Sequence, residues 1–218
     1  MRITQQQLDL LYTTVKSLYD KGPELLFHGW HHVEFVYRKS SIFAKDLGAD
    51  ILLSQSAALV HDLNYLTATA IWTAPAGGRE LRTYVLRQAG YSAEVMAIIE
   101  DIVISEETSI RGNKELTPEM KALADADTLF KALPITTPIF SAKFMAQTNY
   151  SIRRLARKIV SEQTPLLESG SYFYSDLAQK KYLGWAEANL KVWGYVAEAL
   201  DDPDILDLLK SVGVSTAD

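Results

Sequence analysis

The stretch "SAALVHDLNYL", Ser56 to Leu66, decides how this chain is read. It closes a run from Ile51 to Val60 that carries no charged side chain, and then presents His61-Asp62. Asp50 before the run is an N-cap residue, so the segment reads as a helix from 50 to about 62. A helix without a charged face belongs at the centre of a helical protein. Its closing carboxylate is costly to bury without a partner. Either Asp62 reaches solvent or other helices bring it one.

Working outward, helical spacing dominates. Residues 4–20 place Leu8, Leu11, Tyr12, Val15, Leu18 and Tyr19 at steps of three and four, and "KGP" at 21–23 stops them. A second helix spans 30–47, with Gly48 as its C-terminal stop. After a loop over 63–78, helices follow at 79–89, 92–105, 117–133 and 138–160, the last with a break near Asn149. Thr117 caps one of them, with Pro118 in its first turn. A polar loop is expected over 161–171, then a long helix from 175 to 200 and a short one after Pro203. No alternating strand pattern, repeat or low-complexity tract interrupts this. The fold class is all-α and the chain one domain, with its functional loops at 63–78 and 105–117.

The composition fits such a domain: 218 residues, 48% hydrophobic and 22% charged. A net charge of −5 argues against a nucleic-acid polymer as partner. The absence of cysteine excludes disulfides, thiolate metal sites and a cysteine nucleophile. With no apolar leader and no stretch of membrane-spanning length, a cytoplasmic protein is expected. A homodimer stays open.

Only four histidines are present, His28, His31, His32 and His61, and three of them fall in "HGWHH". Histidine with carboxylate is a common set for divalent metals. His32 shares a helical stripe with Val36, Phe43 and Leu47, so its ring is expected to face inward. His31 shares another stripe with Phe35 and Arg38. A third element, "ALADADTLFKAL" (122–133), sets Asp125 and Asp127 in an apolar helix. Successive residues diverge by about 100°, so the two aspartates cannot share a face, and one is expected to point into the core.

The order His … His-Asp … Asp, carried by "HGWHHVEFVYRKSSIFAKDLGAD", "SQSAALVHDL" and "ADADTLF", resembles the HD superfamily of metal-dependent phosphohydrolases. The resemblance covers roughly residues 25–145 and implies an HD-domain helical bundle. It implies His32, His61, Asp62 and Asp127 as ligands of one divalent metal ion per chain (Mn, Mg, Fe, Co, Ni or Zn), with Asp125 as the fallback for Asp127. It also implies a small phosphorylated substrate, a nucleotide for example, hydrolysed by water activated at the ion, with Asp62 able to orient that water. Two-metal members use extra histidines. Here the preceding helix carries Glu100, Asp101 and Ser105 instead, which favours one metal and reads Glu100 and Asp101 as a solvated face. Thr128 stands where Arg or Lys often follows the last Asp. Asn64 and Tyr65 replace the acidic pair of alarmone hydrolases, which speaks against that substrate.

Phosphate needs cations or donors. Lys131 lies four residues after Asp127, Lys143 is on the following helix, and Arg79 follows the Gly77-Gly78 pair. His28 is a spare imidazole. These four are the candidate substrate contacts, with Trp72, Tyr172 and Tyr174 as candidate stacking rings. The alternative is an inactive metal- or nucleotide-binding regulatory module of the same fold.

Overall fold

The computed structural model describes residues 3–67, 75–105 and 115–214. Residues 68–74 of the first expected functional loop, Trp72 among them, and residues 106–114 of the second lie outside them. The described residues form eleven α-helices and no strand, so the protein is all-α.

Helix α1 (Gln5–Lys21) opens with a reciprocal capping box between Thr4 and Gln7. Helix α2 (Trp30–Leu47) ends at Gly48, whose φ of 67° is the left-handed conformation that favours glycine. Helix α3 (Ile51–Val60) starts where the Asp50 carboxylate accepts from the Leu53 N–H at 3.0 Å. From Ser56 to Val60 every residue of α3 is buried, as its uncharged sequence requires. Ser54 and Ser56 satisfy their hydroxyls on the backbone carbonyls of Asp50 and Leu52, and Ser56 also meets the Tyr91 hydroxyl at 2.8 Å.

After the His61-Asp62-Leu63 turn come α4 (Asn64–Thr67), a short 3-10 turn at Pro75–Gly78, α5 (Arg79–Gln88) and α6 (Ala93–Ser105). Helix α7 (Pro118–Ala132) begins at the Thr117 cap with Pro118 in its first turn. It buries eleven of its fifteen residues, because α2, α3, α6 and the later helix Asp176–Ala199 surround it. A π-helical turn at Thr136–Phe140 leads into α8 (Ser141–Thr148), which stops at Asn149 with φ 55°. The expected loop over 161–171 is mostly helix: α9 runs Ile152–Glu168, straight through Pro165. Its strongly amphipathic pattern, with Leu155, Ala156 and Leu166 buried, outweighs one proline near the C-terminal end. Helices α10 (Asp176–Ala199) and α11 (Pro203–Ser211) close the fold.

Two apolar clusters hold it together. The larger joins α1, α2, α3, α5, α6 and α7 through residues such as Leu8, Val33, Phe43, Leu59, Ile99 and Leu123. A smaller one gathers Phe27, Phe130, Phe144, Leu155, Trp193 and Leu200. Among the described residues no helix is long and apolar enough to cross a membrane.

Candidate metal centre

Helices α2 and α7 and the end of α3 meet where the two clusters adjoin. His32, in the first turn of α2, is buried with its ring edge-on to Phe130 at 4.6 Å. His61 ends α3, and its Nδ1 lies 2.8 Å from the Ala58 carbonyl. That carbonyl can only accept, so Nδ1 carries the proton and Nε2 keeps its lone pair for a ligand. Asp127 comes from the face of α7 turned towards α2 and α3.

Four donor atoms converge there. His32 Nε2 lies 3.2 Å from His61 Nε2, 3.2 Å from Asp62 Oδ2 and 3.3 Å from Asp127 Oδ1. His61 Nε2 lies 3.3 Å from Asp62 Oδ2. His32, His61 and Asp127 each offer an atom within 4.8 Å of the others. Donors about 2.1 Å from a shared cation stand about 3.0 Å apart at right angles and about 3.4 Å apart at tetrahedral angles. The three contacts of His32 Nε2 and the His61–Asp62 contact fall in that interval, while the three residues whose ligand atoms all lie within 4.8 Å of one another are His32, His61 and Asp127, without Asp62. Among the described residues, Asp62 Oδ2 is buried and has no hydrogen bond of acceptable geometry, and the same holds for His32 Nδ1. An orphaned carboxylate oxygen facing two imidazole nitrogens is what a site preorganised for a cation leaves behind. The residues therefore fit a divalent ion.

The electrostatics point the same way. Burial opposes charge on His32, but close polar contacts with Asp127 and Asp62 and their charges win, raising its pKa to about 9. Burial likewise works against ionised Asp62, yet the His61 and His32 imidazoles hold it down to about 2. Asp127 resists its burial through the Lys131 ammonium first and His32 second, and stays well below the usual carboxylate range. Without a metal, a proton on His32 takes the cation's place between the carboxylates.

The aspartates of α7 divide as their angular offset demands, but both are buried, where only one was expected to be. Asp127 faces the imidazoles. Asp125 faces the start of α10, where its two oxygens accept from the Tyr174 and Ser175 N–H groups at 2.8 Å each. The expectation of one exposed aspartate assumed an amphipathic helix, whereas α7 is enclosed on both sides.

The other candidates scatter. Lys131 is half-buried, with Nζ 2.6 Å from Asp127 Oδ2. Lys143 is exposed, its ammonium 5.6 Å from the centre of the Phe140 ring. His31 stacks on the same ring at 5.5 Å. Arg79 is exposed at the start of α5. Tyr172 is core, and its hydroxyl donates to Gln163. Tyr174 is half-buried beside the Asp125 cap, with the Lys121 ammonium 6.0 Å from its ring. Glu100 is not on a solvated face. It forms a two-pronged ion pair with Arg82, a fully buried residue, through contacts of 2.8 and 2.7 Å. A second metal would have to take Glu100 from that partner.

Sequence reasoning missed Arg82, Gln147 and the role of Tyr65. Gln147 bonds to Phe27 and His28 across some 119 residues of chain, a pairing no local pattern announces. Tyr65 stacks flat on His28, with ring centres 3.7 Å apart and planes 9° from parallel.

Fold and site together define an all-α bundle with a buried His/Asp cluster able to hold a metal ion. No family model matches the chain, and no curated protein matches it. It is similar in fold to a crystal structure of a protein from Lactobacillus plantarum, with a TM-score of 0.68. The match covers 92% of this chain and 97% of that one at 21% identity, which is a likeness of fold alone.

Proposed function

We propose that the protein is a metal-dependent phosphohydrolase of the HD type, acting on a small phosphorylated molecule. The observation that carries the reading is the approach of His61 Nε2, Asp62 Oδ2 and Asp127 Oδ1 to His32 Nε2 at 3.2–3.3 Å, with Asp62 Oδ2 left without a hydrogen bond among the described residues. These four residues would hold one divalent ion, two neutral imidazoles and two carboxylates bringing it close to neutrality. Such an ion supplies Lewis acidity towards a phosphoryl oxygen and lowers the pKa of water.

The chain's own residues do the rest. The Ala58 carbonyl fixes the His61 tautomer. Lys131 neutralises the outer oxygen of Asp127 and so leaves Oδ1 directed at the imidazoles. Asp62 is the residue best placed to orient an attacking water, since it ends the central helix beside both rings. Phe27 and Phe130 pack against His32 and keep bulk water from that side.

Elemental analysis after loading with Mn, Mg, Fe, Co, Ni or Zn tests the site, and a panel of nucleotides and phosphomonoesters tests the activity. One metal per chain with turnover is expected. Metal without turnover on any substrate favours a regulatory binding module, a reading supported by Asn64 and Tyr65 standing where acidic residues would assist catalysis. No retained metal overturns both.

A further inference from the structure

His28, like His31, is an imidazole that the metal cluster does not use. It sits in the segment between α1 and α2, four residues before His32, and Gln147 of α8 clamps it. The Gln147 Oε1 accepts from the backbone N–H of Phe27 at 2.8 Å and of His28 at 3.2 Å. Backbone N–H groups only donate, so the oxygen of that amide must face them. Its NH2 group is then the atom 2.8 Å from His28 Nδ1. An amide NH2 also only donates, so Nδ1 must be the lone-pair nitrogen and the ring proton sits on Nε2. Tyr65 stacks over the imidazole at 3.7 Å and holds its plane, and a ring flip within that plane would cost the Gln147 bond.

Among the described residues nothing hydrogen-bonds to His28 Nε2. The ring centre lies 6.1 Å from that of His32. The groups whose charges act on it are Asp62, His32, Asp127 and Lys131, the components of the metal centre. Burial, the largest influence, pushes its pKa down to about 3, in keeping with a neutral ring. A purely structural histidine at this position would need only its Nδ1. The N–H at Nε2 takes no part in any hydrogen bond among the described residues, and its ring stands 6.1 Å from that of His32.

We propose that Gln147 is a positioning residue: its amide fixes His28 as the tautomer protonated at Nε2, and that N–H donates to an oxygen of the phosphorylated substrate. This rests on the phosphohydrolase reading. It gives His28, the first histidine of "HGWHH" and a candidate substrate contact by sequence, a defined role as a neutral donor distinct from ligation. A neutral donor suits an oxygen that must be oriented without being held so tightly that product cannot leave.

The first test is long-range 1H–15N correlation NMR on the full chain loaded with diamagnetic Zn or Mg. His28 should show a protonated Nε2 and an unprotonated Nδ1 at pH 7. A proton on Nδ1, alone or with one on Nε2, overturns the assignment. The second test compares wild type with Gln147→Met for inorganic phosphate affinity and for kcat and KM on p-nitrophenyl phosphate. Loss of one hydrogen bond to a charged oxygen predicts at least a tenfold drop in phosphate affinity, with metal content unchanged. Unchanged affinity overturns the positioning role. Should Gln147→Met not fold, Gln147→Glu keeps an acceptor for the two backbone amides, and Nδ1 of His28 must then take up a proton. If Nδ1 stays bare, Gln147 does not control the ring. Failure of the phosphohydrolase reading itself would show separately, as wild-type protein that retains no metal, and would remove the substrate role with it.

Discussion

Replacing Asp125 and Asp127 by alanine, one at a time, separates two carboxylates that lie two residues apart and do unrelated work. Asp125 is fully buried and takes two N–H groups at the start of α10, at 2.8 Å each. Asp125→Ala strands both donors and removes a negative charge from a helix N-terminus. A hydrogen bond to a charged group contributes about 1.5–3 kcal/mol, and a charge at a helix end about 0.3–2 kcal/mol. Because these terms overlap, the expected loss is about 3–5 kcal/mol. For a chain of this size each kcal/mol moves Tm by about 2–4 °C, so melting should fall by about 6–20 °C. Metal content of the folded protein should not change.

Asp127→Ala should do the reverse. Its partners are His32, which can release a proton, and the half-exposed Lys131, so above about pH 9, where His32 is neutral in either protein, the metal-stripped protein should melt near the wild-type temperature. Metal retention should be lost, as it should in His61→Ala. The assay is elemental analysis alongside calorimetric melting, with and without chelator. An Asp125→Ala protein that melts normally but holds no metal would refute the assignment of faces on α7. So would an Asp127→Ala protein that keeps its ion.

Other expectations concern pH, the buried ion pair and a buried phenol. In metal-stripped protein, His32 has a folded pKa of about 9, above the unfolded value near 6.5, so its contribution is complete below about 6.5 and is lost as pH rises through 9. His28 is lowered to about 3, so its contribution is complete above about 6.5 and fades as pH falls towards 3. Melting temperature of stripped protein should therefore decline on both sides of about pH 6.5, and metal, which needs neutral His32, should remove the alkaline decline; a decline that persists in loaded protein would contradict His32 ligation. Arg82→Met should cost about 3–5 kcal/mol in urea unfolding by leaving Glu100 unpaired. The double change with Glu100→Leu should recover most of that loss, and no recovery would show that the pair does more than neutralise itself. Tyr19→Phe removes a buried hydroxyl that has no hydrogen-bond partner among the described residues, so stability should hold or rise. A loss above about 1 kcal/mol would mean that the hydroxyl is bonded in solution.

Local chemistry made much of this protein legible in one dimension. Thr4, Asp50 and Thr117 cap helices because their side-chain oxygens reach N–H groups within one turn, and Gly48 ends α2 because of its own backbone freedom. The uncharged run 51–60 announces a central helix, and the His61-Asp62 pair at its end announces that something must meet the carboxylate. Periodicity also states that Asp125 and Asp127 face apart, since that follows from about 100° per residue.

What lay beyond the sequence is what depends on enclosure. Whether a face of α7 meets solvent or another helix is decided by α10, more than forty residues later, and so the sequence could not tell that both aspartates are buried. The same holds for Glu100, solvated by pattern but claimed by Arg82 from α5, and for Pro165, whose local cost is outweighed by the packing of α9. His28 is the clearest case. Its position in "HGWHH" marked a spare imidazole and candidate substrate contact, yet its tautomer is written by an amide on α8 and its ring plane by a ring on α4. Hydrogen-bond direction and burial belong to groups brought together by the fold, and no spacing along the chain contains them.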